Sequence, residues 1–247
     1  MNVTPTELLA LWEKGDYALC EEKALLFIAQ TQNDFMEELT VNTATDYVAA
    51  VLFYGNLAKG EKKPWKALPA LKTATGALRF LEDYMGEKGV LAQTFASVAA
   101  CYEGCVSYQE AALYYEKAAF FASDKESSQE AYANAFYYLY LMKQKPKKEL
   151  LAVAEEKIGK ESLSRLLKTA QEEAAAQVKI DPVEWSEAYG KVRFETEKRV
   201  WAYLDENSES TAPFVLRYWE EKKKVLKEDF NIDWKTPGEM NPHIRFY

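Results

Sequence analysis

The sequence predicts an all-α protein of antiparallel helix pairs, with about eleven helices. Two observations lead to this fold class. Apolar residues recur along most of the chain at spacings of three and four, whereas the two-residue alternation of a half-buried strand hardly occurs. Ten glycines and eight prolines in 247 residues are few, as expected for long helices with short connections. Hydrophobic residues make up 48% of the chain, which excludes a disordered protein.

The net charge and the composition argue against nucleic-acid and membrane partners. Thirty-one lysines and arginines stand against 39 acidic residues, so the net charge is -8. This balance disfavours nucleic acid, because neutralising phosphates supplies most of the affinity for DNA or RNA. No apolar run approaches the length of a membrane span, the start does not resemble a signal peptide, and three cysteines do not suggest a disulfide framework. We therefore expect a cytoplasmic protein with neither a nucleic-acid nor a membrane partner.

The strongest local pattern lies between residues 91 and 123 and predicts a helical hairpin. Apolar residues of the first segment fall on one helix face, and so do those of the second. These residues are Phe95, Val98, Ala99 and Tyr102, followed by Ala111, Ala112, Tyr115, Ala118, Ala119 and Ala122. Gly104 and Ser107 bracket a turn too short for anything but antiparallel neighbours. Small side chains such as Ala99 and Ala111 would let the two backbones approach.

This hairpin resembles a known repeat. Residues 108–118 closely resemble the second helix of a tetratricopeptide repeat, and Phe95, Val98, Ala99 and Tyr102 match its first-helix positions. The match is good over one unit, residues 92–123, although Ser123 stands where that family usually has a proline. The resemblance implies helix pairs stacked in an α-α superhelix, which we expect to form a single domain over residues 1–229.

The first part of the chain predicts two further hairpins. Thr4 and Glu7 form a capping box for a first helix, and a second helix follows the turn at Gly15 and runs to about residue 31. This pair is a degenerate form of the same repeat. An apolar helix is expected over residues 42–60, and another ends at residue 84 after a proline start or kink at Pro69.

The second part predicts five more helices. Ser127 and Glu130 form a capping box before an aromatic-rich helix, and short helices follow up to residue 159 and over residues 161–178. Asp181 before a proline, with Glu184 three positions on, predicts the start of a helix that runs to about residue 205. A last helix is expected over residues 213–228.

The tail, residues 230–247, is irregular and unusually apolar for a free terminus. Two prolines prevent a continuous helix there. We expect the tail to lie extended across the helical array, with Trp234 and Phe246 as its anchors.

No pattern in the sequence indicates catalysis. Cys101 and Cys105 lie on one helix face without further ligands nearby, and we interpret them and Cys20 as small buried residues. His243, the only histidine, has no visible catalytic partner. Basic runs such as residues 143–148 have acidic neighbours and are interpreted as solvated surface. We expect no cofactor and no metal.

By resemblance, the first helices of the repeats form a concave surface that binds a peptide or protein segment. The expected contact residues are Gln93 and Glu103 from the first helix of the best repeat, with Asn134 and Tyr137 from the next one. The sequence alone supports no enzymatic activity, only a helical-repeat scaffold for an unidentified partner.

Two alternatives stay open. One is a peptide-sensing transcriptional regulator, whose first 65 or so residues would carry a DNA-binding helix-turn-helix. The other is a helical enzyme with carboxylates on facing helices, which acidic pairs such as residues 21–22 and 172–173 permit.

Overall fold

The computed structural model describes residues 3–209 and 212–246, and it confirms the all-α class. The described residues form thirteen α-helices and no strand, against the expected eleven or so. The helices are α1 Pro5–Glu13, α2 Tyr17–Glu37, α3 Val41–Gly60, α4 Leu68–Thr73, α5 Thr75–Tyr84, α6 Lys88–Gly104, α7 Tyr108–Phe121, α8 Lys125–Leu141, α9 Lys148–Ile158, α10 Lys160–Ala175, α11 Glu187–Glu206, α12 Phe214–Phe230 and α13 Pro237–Met240. Two 3-10 turns, Pro64–Ala67 and Pro182–Trp185, complete the secondary structure.

The predicted hairpin between residues 91 and 123 is formed by α6 and α7. Val106 in the connecting turn has a left-handed backbone, with φ 58°, which reverses the chain within three residues. Ala111 and Ala118 are buried at the contact, as the small-residue pattern predicted. The rings of Tyr102 and Tyr114 stack 5.6 Å apart and fill the volume beside the alanines.

Helices α1 to α10 share one hydrophobic core that extends from Val3 to Ala170. Along it, α1 packs on α2, α2 on α3, α3 on α5 and α6, and α7 on α6 and α8. Helix α8 also packs on α10. We call α1 to α10 the helix array.

The first hairpin differs from its prediction at both ends. Thr4 caps α1 by accepting the backbone N–H of Glu7 at 3.3 Å, but the Glu7 carboxylate accepts from Lys23 Nζ instead of completing a capping box. Helix α2 continues to Glu37, six residues beyond the predicted end. At the predicted end, Thr31, the helix simply continues. The Thr31 hydroxyl donates to the carbonyl of Phe27 at 2.9 Å, so this polar group is paired inside the helix.

The predicted helix up to residue 84 is divided into three pieces: a 3-10 turn, α4 and α5. Pro69 neither starts a long helix nor kinks one. It lies in the first turn of α4. Backbone N–H groups there have no carbonyl acceptor within the helix, so the proline costs no helical hydrogen bond.

Two predicted helix starts were placed wrongly. Asp181 does cap, but only the 3-10 turn, and Ser186 then caps α11 by accepting the Tyr189 N–H at 3.2 Å. A tertiary contact lies at this break, where the carbonyl of Trp185 accepts from the Gln109 side chain at 3.0 Å. Helix α8 begins at Lys125, three residues early, because the Asp124 carboxylate is its cap.

The α11–α12 hairpin packs against the turns of the helix array. Arg193 Nη1 donates to the carbonyl of Val106 at 2.6 Å, and the ring of Phe194 lies 5.5 Å from that of Trp65. Helix α11 therefore bridges the turn after α3 and the turn between α6 and α7.

The tail packs on the α11–α12 side and not across the array. Trp234 is buried and its Nε1–H donates to the Glu184 carboxylate at 2.7 Å. The Asn241 amide exchanges hydrogen bonds with the backbone of Lys179 at 2.8 and 2.9 Å, and the Phe246 ring lies 5.1 Å from that of Trp219. The tail includes the one-turn helix α13, and its last residue lies outside the described part.

Candidate partner-binding groove

A groove runs between α6 and α8, with α7 as its floor, and has a volume of about 260 Å³. Five alanines line it: Ala92, Ala96, Ala118, Ala122 and Ala131. Short side chains leave room for the main chain of a ligand to approach the helices closely. The repeated small residues that make the hairpin pack well thus also open this space.

Two of the predicted contact residues face each other across this groove. Gln93 is exposed on the α6 wall, and Asn134 is half-buried on the α8 wall. Neither side chain makes a hydrogen bond to any residue that the structure describes. Each amide can donate and accept at once, so the pair matches the alternating groups of a peptide backbone.

The groove is acidic. Asp124 and Glu130 line it, and no lysine or arginine of the described chain does. Asp124 accepts from the backbone N–H and the hydroxyl of Ser127, both at 2.8 Å, and these bonds lower the pKa of its carboxyl group. Asp124 therefore stays charged while it caps α8, whereas the exposed Glu130 has no ion pair within the described ranges.

The other two predicted residues lie outside the groove. The Glu103 carboxylate accepts from the Tyr115 hydroxyl at 2.8 Å and is half-buried. Burial and this bond raise the pKa of Tyr115, which itself lines the groove. Tyr137 is half-buried with its ring against that of Tyr138, 5.0 Å away. Glu103 thus holds the hydroxyl of a groove residue, and its predicted contact with a partner stays a prediction.

A second, smaller groove between α3 and α6 was missed from the sequence. It has a volume of about 150 Å³ and is lined by Asn56, Lys59 and Ser97 among others. Asn56 is exposed and hydrogen-bonds to no described side chain or backbone group. Gly55 lets α3 and α6 approach closely beside this groove, because a Cβ there would lie 2.8 Å from Cys101 Sγ. Gly55 within an apolar helix was the available signal.

The three cysteines are free thiols. The thiols of Cys20 and Cys105 are buried and donate to the carbonyls of Leu8 at 3.3 Å and Pro64 at 3.0 Å. Cys101 is only half-buried, which corrects the expectation for this residue. Burial raises the pKa of Cys101 to about 11 and that of Cys105 to about 12, so both thiols stay protonated at neutral pH.

Metal and membrane features are also absent where the structure describes the chain. No three or more histidine, cysteine, aspartate or glutamate side chains are grouped there so as to hold a metal ion. In the same ranges, no helix combines the length and apolar character that crossing a membrane requires. His243 is exposed in the tail. Comparisons of the chain with protein-family models, with curated proteins and with solved structures found no match.

Proposed function

We propose that this chain is a tetratricopeptide-like scaffold of the cytoplasm that binds an extended peptide or protein segment between α6 and α8. The observation that supports the proposal is the pairing of an alanine-rich lining with two unengaged amides, Gln93 and Asn134, on opposite walls. No enzymatic step is part of the proposal.

An extended segment has the right chemistry for this groove. Its backbone presents N–H and C=O groups that lose water on binding and must be paired. Side-chain amides can pair with both kinds of group, and the alanines let the segment approach without displacing large side chains. Asn56 on α3 adds a further exposed amide in the neighbouring groove between α3 and α6, where a longer segment would also contact α3.

Selection from a peptide display library, followed by calorimetry with the selected peptides, tests the proposal. Replacing both Gln93 and Asn134 with alanine should weaken binding about tenfold to a hundredfold, since each net hydrogen bond contributes about 1 kcal/mol. Replacing Ala96 with phenylalanine should also weaken binding, because the ring would occupy the groove.

The matched control carries Asn33→Ala and Gln144→Ala, which remove the same side chains from exposed positions away from the groove. This variant should bind like the wild type. The proposal would be contradicted if the groove variants remain folded and the selected peptides bind to them as tightly as to the wild type.

A further inference from the structure

The groove between α6 and α8 carries charge of one sign on a largely apolar lining. Its charged side chains are Asp124 and Glu130, both exposed, and alanines form much of the remaining lining. A cleft with low-dielectric walls and charges of one sign concentrates the electric field and attracts ions of the opposite sign. The groove therefore attracts cations.

The two carboxylates differ in how far the protein already compensates them. Asp124 caps α8, so the positive end of that helix and the donors of Ser127 offset part of its charge. Glu130 lies about one and a half turns further along α8, beyond the reach of the helix end. Its carboxylate accepts no hydrogen bond from the described chain. Glu130 is therefore the stronger attractor of a cation.

The charge of Glu130 acts inside the groove and not only at its rim. The Tyr115 hydroxyl, which belongs to the lining, donates to Glu103 of α6 at 2.8 Å. Burial, this bond and the charges of Glu103 and Glu130 raise the pKa of Tyr115. Carboxylates from both helix walls thus act on the same point of the lining.

Lysines next to the groove in the chain are directed elsewhere. Lys117 pairs with Glu82, and Lys88 Nζ lies 4.9 Å from the ring centre of Phe121. Lys125 Nζ lies at the turn between α9 and α10. None of these lysines lines the groove or comes within ion-pair distance of its carboxylates in the described structure. The negative charge of the groove is therefore left for a partner.

We propose that the groove prefers segments that carry a lysine or an arginine, whose cationic end lies between Glu130 and Asp124. This inference rests on the proposed function, which gives the groove an extended segment but not the chemistry of its side chains. The alanines accommodate the aliphatic stem of such a side chain, while Gln93 and Asn134 pair with the backbone. An acidic segment would bring like charges together and is disfavoured.

The test uses the full chain and three fluorescent decapeptide libraries with blocked termini. Each library has one fixed central residue, either lysine, methionine or glutamate, and random uncharged residues elsewhere. Fluorescence anisotropy at low ionic strength measures the apparent affinity of each library. The lysine library should bind at least about threefold more tightly than the methionine library, and at least about tenfold more tightly than the glutamate library.

Glu130→Gln combined with Asp124→Asn removes both charges and nearly keeps the shapes, and asparagine also caps helices. With this variant the three libraries should bind within about twofold of one another. The matched control combines Glu126→Gln and Glu149→Gln, which remove two charges from exposed positions that do not line the groove. It should keep the preference for lysine.

Glu130→Lys should reverse the order of the libraries, and it decides the matter if the variant without both charges does not fold. Equal binding of the three libraries, with weaker binding of all three after Gln93→Ala and Asn134→Ala, would overturn this inference and leave the proposed function standing. A preference for lysine that persists without both groove charges would also overturn it. Failure of all three libraries to bind would contradict both proposals.

Discussion

Lys222 Nζ lies 3.4 Å from the Glu197 carboxylate, and both side chains are more than nine-tenths buried between α11 and α12. The ammonium also lies 4.9 to 5.5 Å from the ring centres of Tyr189, Tyr218 and Trp234. Burial alone lowers the pKa of Lys222, but Tyr189, Tyr218, Glu184 and Glu197 together outweigh it and raise the pKa well above its ordinary value. Lys222 therefore stays charged inside the hairpin.

Breaking this ion pair from one side should destabilise the protein strongly. Lys222→Met removes the ion-pair partner of the buried Glu197 carboxylate, and such a loss typically costs about 3–5 kcal/mol. Denaturant unfolding measures the change. Lys224→Met, on the exposed side of the same helix, is the control and should change stability by less than about 0.5 kcal/mol.

The double variant Lys222→Met with Glu197→Gln separates the pair from simple packing loss. Removing both charges should recover part of the stability, since a neutral amide costs less to bury than an unpaired carboxylate. The ion pair would be assigned wrongly if Lys222→Met is as stable as the wild type. It would also be assigned wrongly if the double variant loses more stability than the two single variants lose in total.

Gly55 should tolerate alanine only when Cys101 is changed as well. A Cβ at this position would lie 2.8 Å from Cys101 Sγ, so Gly55→Ala overpacks the contact between α3 and α6. We expect a cost of about 1–3 kcal/mol, reduced by the roughly 1 kcal/mol that alanine contributes within a helix. The denaturation midpoint of the variant measures the net effect.

Cys101→Ala in the Gly55→Ala background removes the sulfur and should restore the midpoint, and the favourable helix propensity should then remain. Gly76→Ala on α5 is a control, because no described atom lies within 4 Å of the added Cβ. If Gly55→Ala lowers stability by the same amount in the wild type and in the Cys101→Ala background, the strain does not come from the contact with Cys101.

Local sequence patterns predicted the array much better than the α11–α12 side. The α6–α7 hairpin depends on small residues and rings within about 30 positions, such as Ala111 and Tyr102, and it was predicted closely. The position of α11 depends on contacts such as Arg193 with Val106, which are 87 residues apart in the chain. Helix periodicity relates only residues that are close in the chain. Neither the break at Ser186 nor the packing of α11 against Trp65 could therefore be predicted from it.

The positions of the predicted contact residues show the same limit. Gln93 and Asn134 line the groove between α6 and α8, and their contact with a partner stays a prediction. Glu103 has the same periodicity, but only the structure reveals the Tyr115 hydroxyl that engages it. Asn56 lines the neighbouring groove beside α6, and no sequence pattern singled it out.

Stability should fall as the pH rises from about 8.5 towards the raised pKa values of two cysteine thiols, about 11 for Cys101 and about 12 for Cys105. Burial raises the pKa of Cys101 to about 11 and of Cys105 to about 12, whereas an unfolded cysteine has a pKa of about 8.5. Below that value both states are protonated and the thiols leave stability unchanged. Above it the unfolded state loses its protons first, so unfolding becomes more favourable as the pH rises.

This effect is measured by denaturation midpoints under reducing conditions at two pH values. We choose about pH 7.0 and about pH 9.5, because they lie on either side of the unfolded cysteine pKa of about 8.5. A variant with alanine at both positions should lose less stability over the same interval, whatever its stability at pH 7.0. In the wild type, thiol labelling of the native protein should be slow at neutral pH. Rapid labelling of Cys105 without unfolding would contradict its burial.

The tail should stabilise the α11–α12 hairpin through Trp234. Its indole is buried, its Nε1–H donates to Glu184 at 2.7 Å, and its ring centre lies 4.9 Å from Lys222 Nζ. Trp234→Ala would leave a cavity and leave Glu184 without this donor, at a cost of about 3–5 kcal/mol. Trp234→Phe keeps most of the apolar contact and should cost about 1.5–3 kcal/mol for the lost charge-assisted hydrogen bond.

Hydrogen exchange of the native protein locates the effect. Trp234→Ala should speed exchange in α11 and α12, because water gains access to Lys222, and should leave α6 and α7 protected. His243→Ala, an exposed change in the same tail, should alter neither stability nor exchange. Equal acceleration throughout the helix array would mean that the tail supports the whole fold. Unchanged exchange in α11 and α12 would mean that the tail is not needed to shield the buried lysine.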